Sequence, residues 1–250
     1  MALHETTTYK MVIQYEGTKY RGWQRLKTSD QTIQFKIENV LSRILNEPIE
    51  IQGSGRTDAG VHAFGQVASF KTQSKKAAEY IVNELNHYLP EDIVISSITA
   101  QPSEFHARFH AEQKNYTYQL WTAQYPPVFE RNFVWDLEGK KLDLNLMKKA
   151  AELLVGTHDF SGFSTDKTKK STIRTISSIN FVVEDNLLKI VFLGDGFLYN
   201  MVRIIVGTLV EVGLGSRMPN TIENVFETNR RENAGETAPA KGLFLMEVFY

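Results

Sequence analysis

The chain has 250 residues, 42% hydrophobic and 23% charged, with a formal net charge of −1 at pH 7. This composition is typical of a globular protein of one large or two small domains, and it excludes a disordered or fibrous chain. No apolar stretch approaches the ~20 residues of a membrane span, residues 1–10 lack the features of a secretory signal, and no cysteine is present. We therefore expect a cytoplasmic protein that does not bind membranes, and its bulk charge gives no hint of a nucleic-acid partner.

The first hundred residues predict the element order β-α-β-β-α-β. The alternating run YKMVIQY indicates a strand, and apolar residues at helical spacing from Ile33 to Leu45 indicate a helix capped by Ser29 or Asp30. The runs IEIQG and GQVASF indicate two strands joined by a glycine-rich turn. A second helix, capped by Ser74, precedes the strand DIVISSI.

The second half repeats this order. NYTYQLW indicates a strand and Asp143 caps the next helix, while ISSINFVV and LLKIVFL predict a hairpin across Asp185–Asn186. A long apolar helix from Tyr199 to Val212 and a short helix precede a last strand, LFLMEVF.

The repeated order predicts an α+β fold. Each half matches the ferredoxin-like β-α-β-β-α-β motif. We expect halves at residues 1–105 and 106–250, with a central antiparallel sheet and a cleft between the halves as the place for a site.

The turn between the two middle strands of the first half carries more than a hairpin needs. Its sequence, GSGRTDAGVHAFGQVASF, contains four glycines, which permit positive φ and close approach of a ligand backbone. Arg56 and Asp58 lie at its tip. No Gly-Lys-Ser/Thr follows, so the turn is not a P-loop. Asp58 either bonds its own backbone as an ordinary turn residue or acts on a ligand.

A single cation, Arg203, interrupts the apolar helix LYNMVRIIVGTLVEVG. A buried arginine is rarely unpaired, because removing one partner of a buried ion pair costs about 3–5 kcal/mol. Arg203 therefore either extends to the surface from the first turns of the helix or pairs with a carboxylate from elsewhere, for which Asp58 is a candidate.

Two basic runs are candidates for binding RNA. KYRGWQRLK (19–27) carries Arg21 among other cations and is interleaved with Tyr20 and Trp23, and DKTKKSTIR (166–174) carries a lysine cluster. Cations neutralise phosphates and aromatic rings stack on unpaired bases. Either run alone is more typical of solvated surface than of an RNA-binding site.

Two pairs of residues that contain histidine suggest other chemistry. His106 and His110 stand four residues apart, the spacing of a zinc pair on a helix, but the adjoining sequence is strand-like and offers no third ligand. His158 and Asp159 resemble a catalytic dyad, although a brace within a loop explains them better. We therefore predict no metal site.

Several motifs, in order, resemble the tRNA pseudouridine synthase A family. They are GRTDAGVHAFGQV, YEGTKYRGWQ, LPEDIVI with EFHARF, KNYTY, GTHDFSGF, GFLYNMVRIIVGTLVEVG and APAKGLFLMEVFY. The resemblance spans nearly the whole chain. It implies the pseudouridine synthase fold, isomerisation of uridines 38–40 in the anticodon stem-loop of tRNA, no cofactor or metal, and a homodimer.

The resemblance also implies roles for individual residues. Asp58 matches the catalytic aspartate of the family, and Arg203 matches the arginine that pairs with it. Tyr116 matches the tyrosine that contacts the target uracil, and Arg56 matches an arginine implicated in base flipping. The remaining residues expected to bind tRNA are Arg21, Lys167, Lys169 and Lys170.

The chain departs from the family pattern at two positions. Leu26 stands where the family usually has glutamine, and Phe35 stands where it usually has glycine. Both lie away from the catalytic turn, and they leave room for a paralogue with altered target positions.

The chemistry of the reaction fits these residues. Breaking the bond from C1′ to N1 needs a carboxylate near C1′, as in retaining glycosidases. The sequence does not choose between attack of Asp58 on C1′, attack on C6 and removal of the 2′ proton. The alternative functions are a non-catalytic tRNA-binding protein and a nucleoside hydrolase. The intact Asp58, Tyr116 and Arg203 argue against the first, and the basic runs argue against the second.

Overall fold

A computed structural model of the chain describes residues 6–166 and 171–250. The chain forms two compact units. The first unit extends to Glu112 and also contains Leu245–Tyr250, and the second unit is Gln113–Phe244. The chain thus leaves the first unit after Glu112 and returns to it at Leu245.

The first unit has the β-α-β-β-α-β order that the sequence predicts. Its elements are β1 (Thr7–Tyr15), α1 (Ile33–Leu45), β2 (Gln52–Gly53), β3 (His62–Thr72), α2 (Ala78–Tyr88) and β4 (Ile93–Gln101). β1 is the central strand and pairs antiparallel with both β3 and β4. Alternate residues of β1, namely Met11, Ile13 and Tyr15, are buried, as a strand with one face in the core requires. The short β2 pairs antiparallel with β3 and leads into the turn that carries Asp58.

The N-terminal caps of both helices in the first unit lie later than predicted. α1 is capped by Thr32, whose side chain accepts a hydrogen bond from the Phe35 N–H, and not by Ser29 or Asp30. α2 follows Ala77 without a side-chain cap, whereas Ser74 accepts from the Lys76 N–H before the helix. A cap depends on the φ/ψ of one residue, which the apolar spacing of the helix does not specify.

The second unit combines a larger set of elements. They are β5 (Gln113–Trp121), β6 (Trp135–Asp136), α3 (Leu144–Glu152), β7 (Gly156–Asp159), β8 (Ile173–Glu184), β9 (Leu187–Gly194), α4 (Met201–Gly213), α5 (Thr221–Thr228), the start of β10 (Leu243–Phe249), and the 3₁₀ turns Ser161–Phe163, Arg231–Asn233 and Ala240–Gly242. β9 lies between β5 and β8 and pairs antiparallel with both. β7 pairs antiparallel with β8, and β6 runs parallel to β5.

Several local predictions are confirmed in the second unit. Asp143 caps α3 by accepting from the N–H groups of Asn145 and Leu146. The hairpin of β8 and β9 turns at Asp185–Asn186, with Asp185 at a φ of 51°.

The start of α4 lies later than predicted, at Met201 and not at Tyr199. Asn200 takes a left-handed φ of 61°, which cannot continue a helix.

Each unit packs helices with mostly antiparallel strands, so the α+β fold class is confirmed. Within residues 6–166 and 171–250, no helix has the length and apolar character needed to cross a bilayer.

Candidate active site

The turn between β2 and β3 brings Arg56 and Asp58 to its tip. The Val61 N–H donates to the Asp58 carbonyl at 3.2 Å, which closes the turn, and Gly60 adopts the positive φ of 79° that the turn needs. Arg56 is exposed and Asp58 is partly exposed. Both charged side chains are therefore accessible from solvent, although β3, which follows the turn, is mostly buried.

The turn is anchored to the core of the first unit at Thr57, which lies between the two charged residues. Thr57 is buried, its carbonyl accepts from the Trp23 N–H at 3.1 Å, and its Oγ1 lies 2.8 Å from Tyr15 Oη. Burial raises the pKa of Tyr15 to about 12, although the hydrogen bonds to Thr57 and Gln66 act in the opposite direction. Tyr15 therefore stays a neutral hydroxyl at physiological pH and holds the residue next to Asp58.

Gln66 joins the two sides of the hairpin. Its Oε1 accepts from Ser54 Oγ at 2.7 Å and from the Val67 N–H at 3.1 Å, and its Nε2 donates to the Gly55 carbonyl at 3.1 Å. Ser54 and Gln66 are fully buried, and buried polar groups stabilise a structure only when they are hydrogen-bonded. The network sets the path of the chain on both sides of Arg56 and Asp58.

The glycines around the turn serve the packing of the protein itself. A Cβ on Gly53 would lie 2.6 Å from Trp23 Nε1, and a Cβ on Gly65 would lie 2.4 Å from the Met246 carbonyl oxygen. The protein itself therefore occupies the space beside these two glycines, which were expected to permit close approach of a ligand backbone. Gly22 has a φ of +95°, and a Cβ there would lie 2.8 Å from the Thr57 carbonyl oxygen.

Arg56 has a fixed orientation although it is exposed. Its Nε donates to Gln24 Oε1 at 2.9 Å. Gln24 follows Trp23, whose backbone holds Thr57, so one short segment positions both the turn and the guanidinium.

In the second unit, Arg203 lies near the N-terminal end of α4 and is partly buried. Its Nε donates to the Ala238 carbonyl at 2.8 Å and its Nη1 donates to Asn200 Oδ1 at 2.9 Å. The Arg203 carbonyl in turn accepts from the Ala238 N–H at 3.1 Å. These contacts fix the plane of the guanidinium, and sequence reasoning missed both partners.

Two tyrosines of β5 lie in the same part of the second unit. Tyr116 is buried, with 8% of its surface exposed, and its ring meets Phe197 edge-to-face at 5.2 Å between centroids. Tyr118 is fully buried and donates to the Pro239 carbonyl at 2.7 Å. Burial raises the pKa of Tyr118 well above its usual value, while the charge of Arg203 acts to lower it.

The chain is similar to known proteins over nearly its whole length. Residues 11–110 and 150–250 match the sequence profile of the family described as tRNA pseudouridine synthase. A "tRNA pseudouridine synthase A" of Bacillus sp. (strain KSM-64) is 48% identical over 97% of this chain and 99% of its own length. The protein of the same name from Acetivibrio thermocellus is 43% identical over 96% of this chain and 98% of its own length.

The chain belongs to the tRNA pseudouridine synthase family. A further relative, "tRNA pseudouridine synthase A 2" of Bacillus anthracis, is 43% identical over 96% of this chain and 98% of its own length. The family resemblance deduced from the motifs is therefore confirmed.

The other residues expected to bind tRNA are Arg21 and the cluster Lys167, Lys169 and Lys170. Arg21 is exposed, and its backbone N–H donates to the Gln31 carbonyl at 2.8 Å, which closes the loop that precedes α1. Lys167, Lys169 and Lys170 lie outside the described residues, so their role in binding stays a prediction from the sequence. The pairing of Asp58 with Arg203 also stays a prediction.

His158 and Asp159 each contact a different local neighbour. His158 stacks on Phe226 with ring centroids 4.5 Å apart, whereas Asp159 Oδ1 accepts from the Ser161 N–H at 2.9 Å. Burial acts to raise the pKa of Asp159, but hydrogen bonds from Thr172 and Ser161 outweigh it and lower the pKa. His158 and Asp159 thus bond to different neighbours, as a loop brace does. Across residues 6–166 and 171–250, no three His, Asp or Glu side chains converge as metal ligands.

Proposed function

We propose that this protein isomerises uridines 38–40 in the anticodon stem-loop of tRNA to pseudouridine, with Asp58 as the catalytic carboxylate. The observation that carries the proposal is Asp58 itself, which lies in the GRTD motif. Its turn is held one residue earlier, where Tyr15 contacts the hydroxyl of Thr57 and Trp23 donates to its carbonyl. The relatives named tRNA pseudouridine synthase A cover nearly the whole chain, and this supports the same reaction here.

The reaction rearranges bonds within one nucleotide and needs no oxidant or reductant. The C1′–N1 bond breaks, the uracil turns, a C1′–C5 bond forms, the proton on C5 leaves and N1 gains a proton. Asp58 acts in its ionised form, whether it attacks C1′, attacks C6 or removes the 2′ proton. The target uridine must first leave its stack, which requires a few kcal/mol that contacts to the RNA offset.

Arg203 and Tyr116 complete the proposed set of residues. Arg203 would pair with Asp58 and keep it ionised, because a nearby cation lowers the pKa of a carboxyl group. The contacts of Arg203 with Ala238 and Asn200 support this role, since they orient the guanidinium in advance. Tyr116 would hold the uracil, and Arg56, oriented by Gln24, would take part in base flipping.

The proposal extends to partners and location. Arg21 and the cluster Lys167, Lys169 and Lys170 would contact phosphates of the anticodon stem-loop. The chain would act as a homodimer in the cytoplasm, as the family resemblance implies.

One assay separates this proposal from its alternatives. The protein is incubated with an unmodified tRNA transcript, the RNA is digested to nucleosides, and the products are identified by mass spectrometry and chromatography. Pseudouridine supports the proposal, free uracil indicates a nucleoside hydrolase, and unchanged uridine with tight binding indicates a non-catalytic tRNA-binding protein. Carbodiimide labelling and primer extension then locate the modified positions.

A further inference from the structure

The first unit contains a groove of about 580 Å³. None of the residues proposed above as catalytic lines this groove. It lies between the end of β4, the segment that follows and the end of the chain. Its aromatic side chains are Phe105, Phe109, His110 and Tyr250, and its carboxylates are Glu104 and Glu112. A concave site with aromatic walls and a few polar groups is the usual form of a ligand pocket.

Phe109 is the unusual member of this groove, because 75% of its surface is exposed. The His106 ring lies 4.3 Å from the Phe109 ring, and the Arg108 guanidinium lies 6.0 Å from it. Phe105 packs on Tyr250 with centroids 5.2 Å apart and completes the aromatic wall. An exposed phenylalanine beside a guanidinium and an imidazole adds nothing to a core, but it is a surface on which a base stacks.

The segment that presents Phe109 is held in place by its neighbours. Ala107 is fully buried, its N–H donates to Ser69 Oγ at 3.1 Å, and its carbonyl accepts from Tyr250 Oη at 2.7 Å. These two contacts tie the middle of the segment to β3 and to the C-terminal residue. The exposed ring is therefore presented by an ordered backbone, and little ordering is required when a ligand binds.

The rings of two histidines add further order by accepting hydrogen bonds from the backbone of the same segment. The His106 Nδ1 accepts from the Arg108 N–H and the His110 Nδ1 accepts from the His106 N–H, both at 3.0 Å. A neutral imidazole whose Nδ1 accepts carries its proton on Nε2. Burial lowers the pKa of His106 and favours its neutral form, so the His106 ring offers one N–H donor.

The charges of the groove identify the kind of ligand. Arg108 lies outside the lining and Lys10 lies over the Tyr250 ring at 5.4 Å, whereas Glu104 and Glu112 lie within the lining. Two carboxylates disfavour a phosphate inside the groove, but they accept hydrogen bonds from amino groups of adenine, cytosine or guanine. The cations at the margin suit the phosphates on either side of such a base.

We infer that this groove binds an unpaired base of the RNA substrate, stacked on Phe109 and carrying an exocyclic amino group. The inference rests on the proposed function only in taking an RNA as the ligand. The groove thereby provides an RNA contact in addition to the catalytic turn and the basic runs.

The test measures tRNA affinity by filter binding or fluorescence anisotropy with Phe109→Ala and Phe109→Trp. Loss of one stacked base predicts that Phe109→Ala raises Kd between about 5-fold and 150-fold, while Phe109→Trp keeps the affinity. The salt dependence of Kd stays unchanged in Phe109→Ala because no charge is removed. Arg108→Ala, in contrast, lowers the salt slope by about 0.7–0.9 if it contacts one phosphate.

Tyr88→Ala is the matched control. Tyr88 is 61% exposed and its ring also contacts a histidine, His87, at 4.7 Å, but it lies at the end of α2 and does not line the groove. We expect its tRNA affinity to equal that of the wild type. Melting curves establish that both alanine variants are folded, which the exposure of both rings favours.

Two outcomes overturn the inference. The first is a tRNA affinity in Phe109→Ala that equals the wild-type value. The second is a change of oligomeric state in Phe109→Ala, measured by analytical ultracentrifugation, because the groove is then a contact between two copies of the chain. A failure of the proposed function gives a different result. If the wild type forms no pseudouridine but its tRNA binding still depends on Phe109, the isomerase proposal is refuted and the inference about the groove is not.

Discussion

The hydroxyl group of Tyr15 lies 2.8 Å from Thr57 Oγ1, so the central strand of the first unit holds the residue that precedes Asp58. In Tyr15→Phe the buried Thr57 hydroxyl loses this partner. We expect the free energy of unfolding to fall by about 1–2 kcal/mol, because a buried polar group left unsatisfied costs more than the net worth of its hydrogen bond. We also expect kcat to fall more than KM changes, because Thr57 positions Asp58 and is not among the residues proposed to bind the RNA. Urea denaturation and steady-state kinetics measure the two effects.

Tyr9→Phe is the control for this substitution. Tyr9 lies on the same strand and stacks on Phe70 at 5.4 Å, and its hydroxyl makes no hydrogen bond to the described part of the chain. Its loss should leave both stability and kcat close to wild type. An unchanged kcat in Tyr15→Phe would show that the contact with Thr57 serves stability alone.

The raised pKa of Tyr15 predicts a dependence of stability on alkaline pH. Its pKa is about 12 in the folded protein against 10 in the unfolded chain, so the folded state holds the proton more tightly. The resulting stabilisation is complete below pH 10 and is lost as the pH rises toward 12. The stability difference between wild type and Tyr15→Phe should therefore be constant up to pH 10 and shrink above it. The titration of the other tyrosines does not affect this difference, because both proteins contain them. A stability difference that does not change between pH 9 and 12 would contradict the assignment to Tyr15.

Asp58→Asn tests the catalytic carboxylate. The amide keeps the size of the side chain but can serve neither as a nucleophile nor as a base, so we expect no pseudouridine above background. tRNA affinity should stay within several-fold of wild type, because a carboxylate near phosphates adds nothing to binding. Nucleoside analysis and filter binding on the same preparation measure both properties. Isomerisation by Asp58→Asn at a substantial rate would exclude Asp58 from catalysis.

Arg203→Lys tests the need for a guanidinium. A lysine keeps the charge but cannot reach both the Ala238 carbonyl and Asn200 Oδ1, and it lacks the planar two-point contact with a carboxylate. We expect a loss of kcat together with a loss of about 1–3 kcal/mol in the free energy of unfolding. Full activity would argue against a role for Arg203 in orienting Asp58.

Arg217→Lys is the matched control, since the Arg217 guanidinium also donates to backbone carbonyls, those of Asn233 and Ala234. It should lower stability without lowering kcat. A double-mutant cycle of Asp58→Asn and Arg203→Lys on the free energy of unfolding then tests their pairing, and a coupling energy below about 0.5 kcal/mol would speak against it.

Joint replacement of Lys167, Lys169 and Lys170 by Ala tests the second basic run. Each lost phosphate contact should lower the slope of log K against log salt by about 0.7–0.9, so three contacts lower it by up to about three. Replacement of the exposed Lys140, Lys141 and Lys148 around the start of α3 is the control and should leave the slope unchanged. Equal slopes for the two triple variants would identify the run as ordinary solvated surface.

The sequence predicted the fold where its signal was long and periodic. The sequence correctly predicted the helices and the strands β1, β3 and β4 of the first unit, the hairpin at Asp185–Asn186 and the cap at Asp143. The predicted strand IEIQG is shorter in the structure, where β2 covers only Gln52–Gly53. β6 and β7 have two and four residues, too few to show a period, and they were missed. The caps of α1 and α2 were placed too early, because several polar residues precede each helix and only the backbone conformation selects among them.

The candidate site was predicted in part for a similar reason. Asp58 and Arg203 were found because each is conspicuous in its local sequence, one at a glycine-rich tip and the other in an apolar helix. Gln66 and Asn200, which hold the turn and the guanidinium, are polar residues without any local anomaly. Their contacts depend on how strands and loops meet in space, and a linear pattern does not contain that information.

The hydrogen bond from Tyr250 to the Ala107 carbonyl joins residues 143 positions apart in the chain. The size of the loop that this bond closes matters little for the stability of the folded protein, because the entropy of closing a loop grows only slowly with loop size. It matters for biosynthesis, since at about 5–20 residues per second the ribosome needs roughly 7–30 s to make the intervening chain. During that interval the segment that carries Phe105 and Phe109 is held through Ser69 but lacks its contact with Tyr250. This segment is therefore where we expect chaperones to engage the growing chain, and where a pause late in translation would promote aggregation.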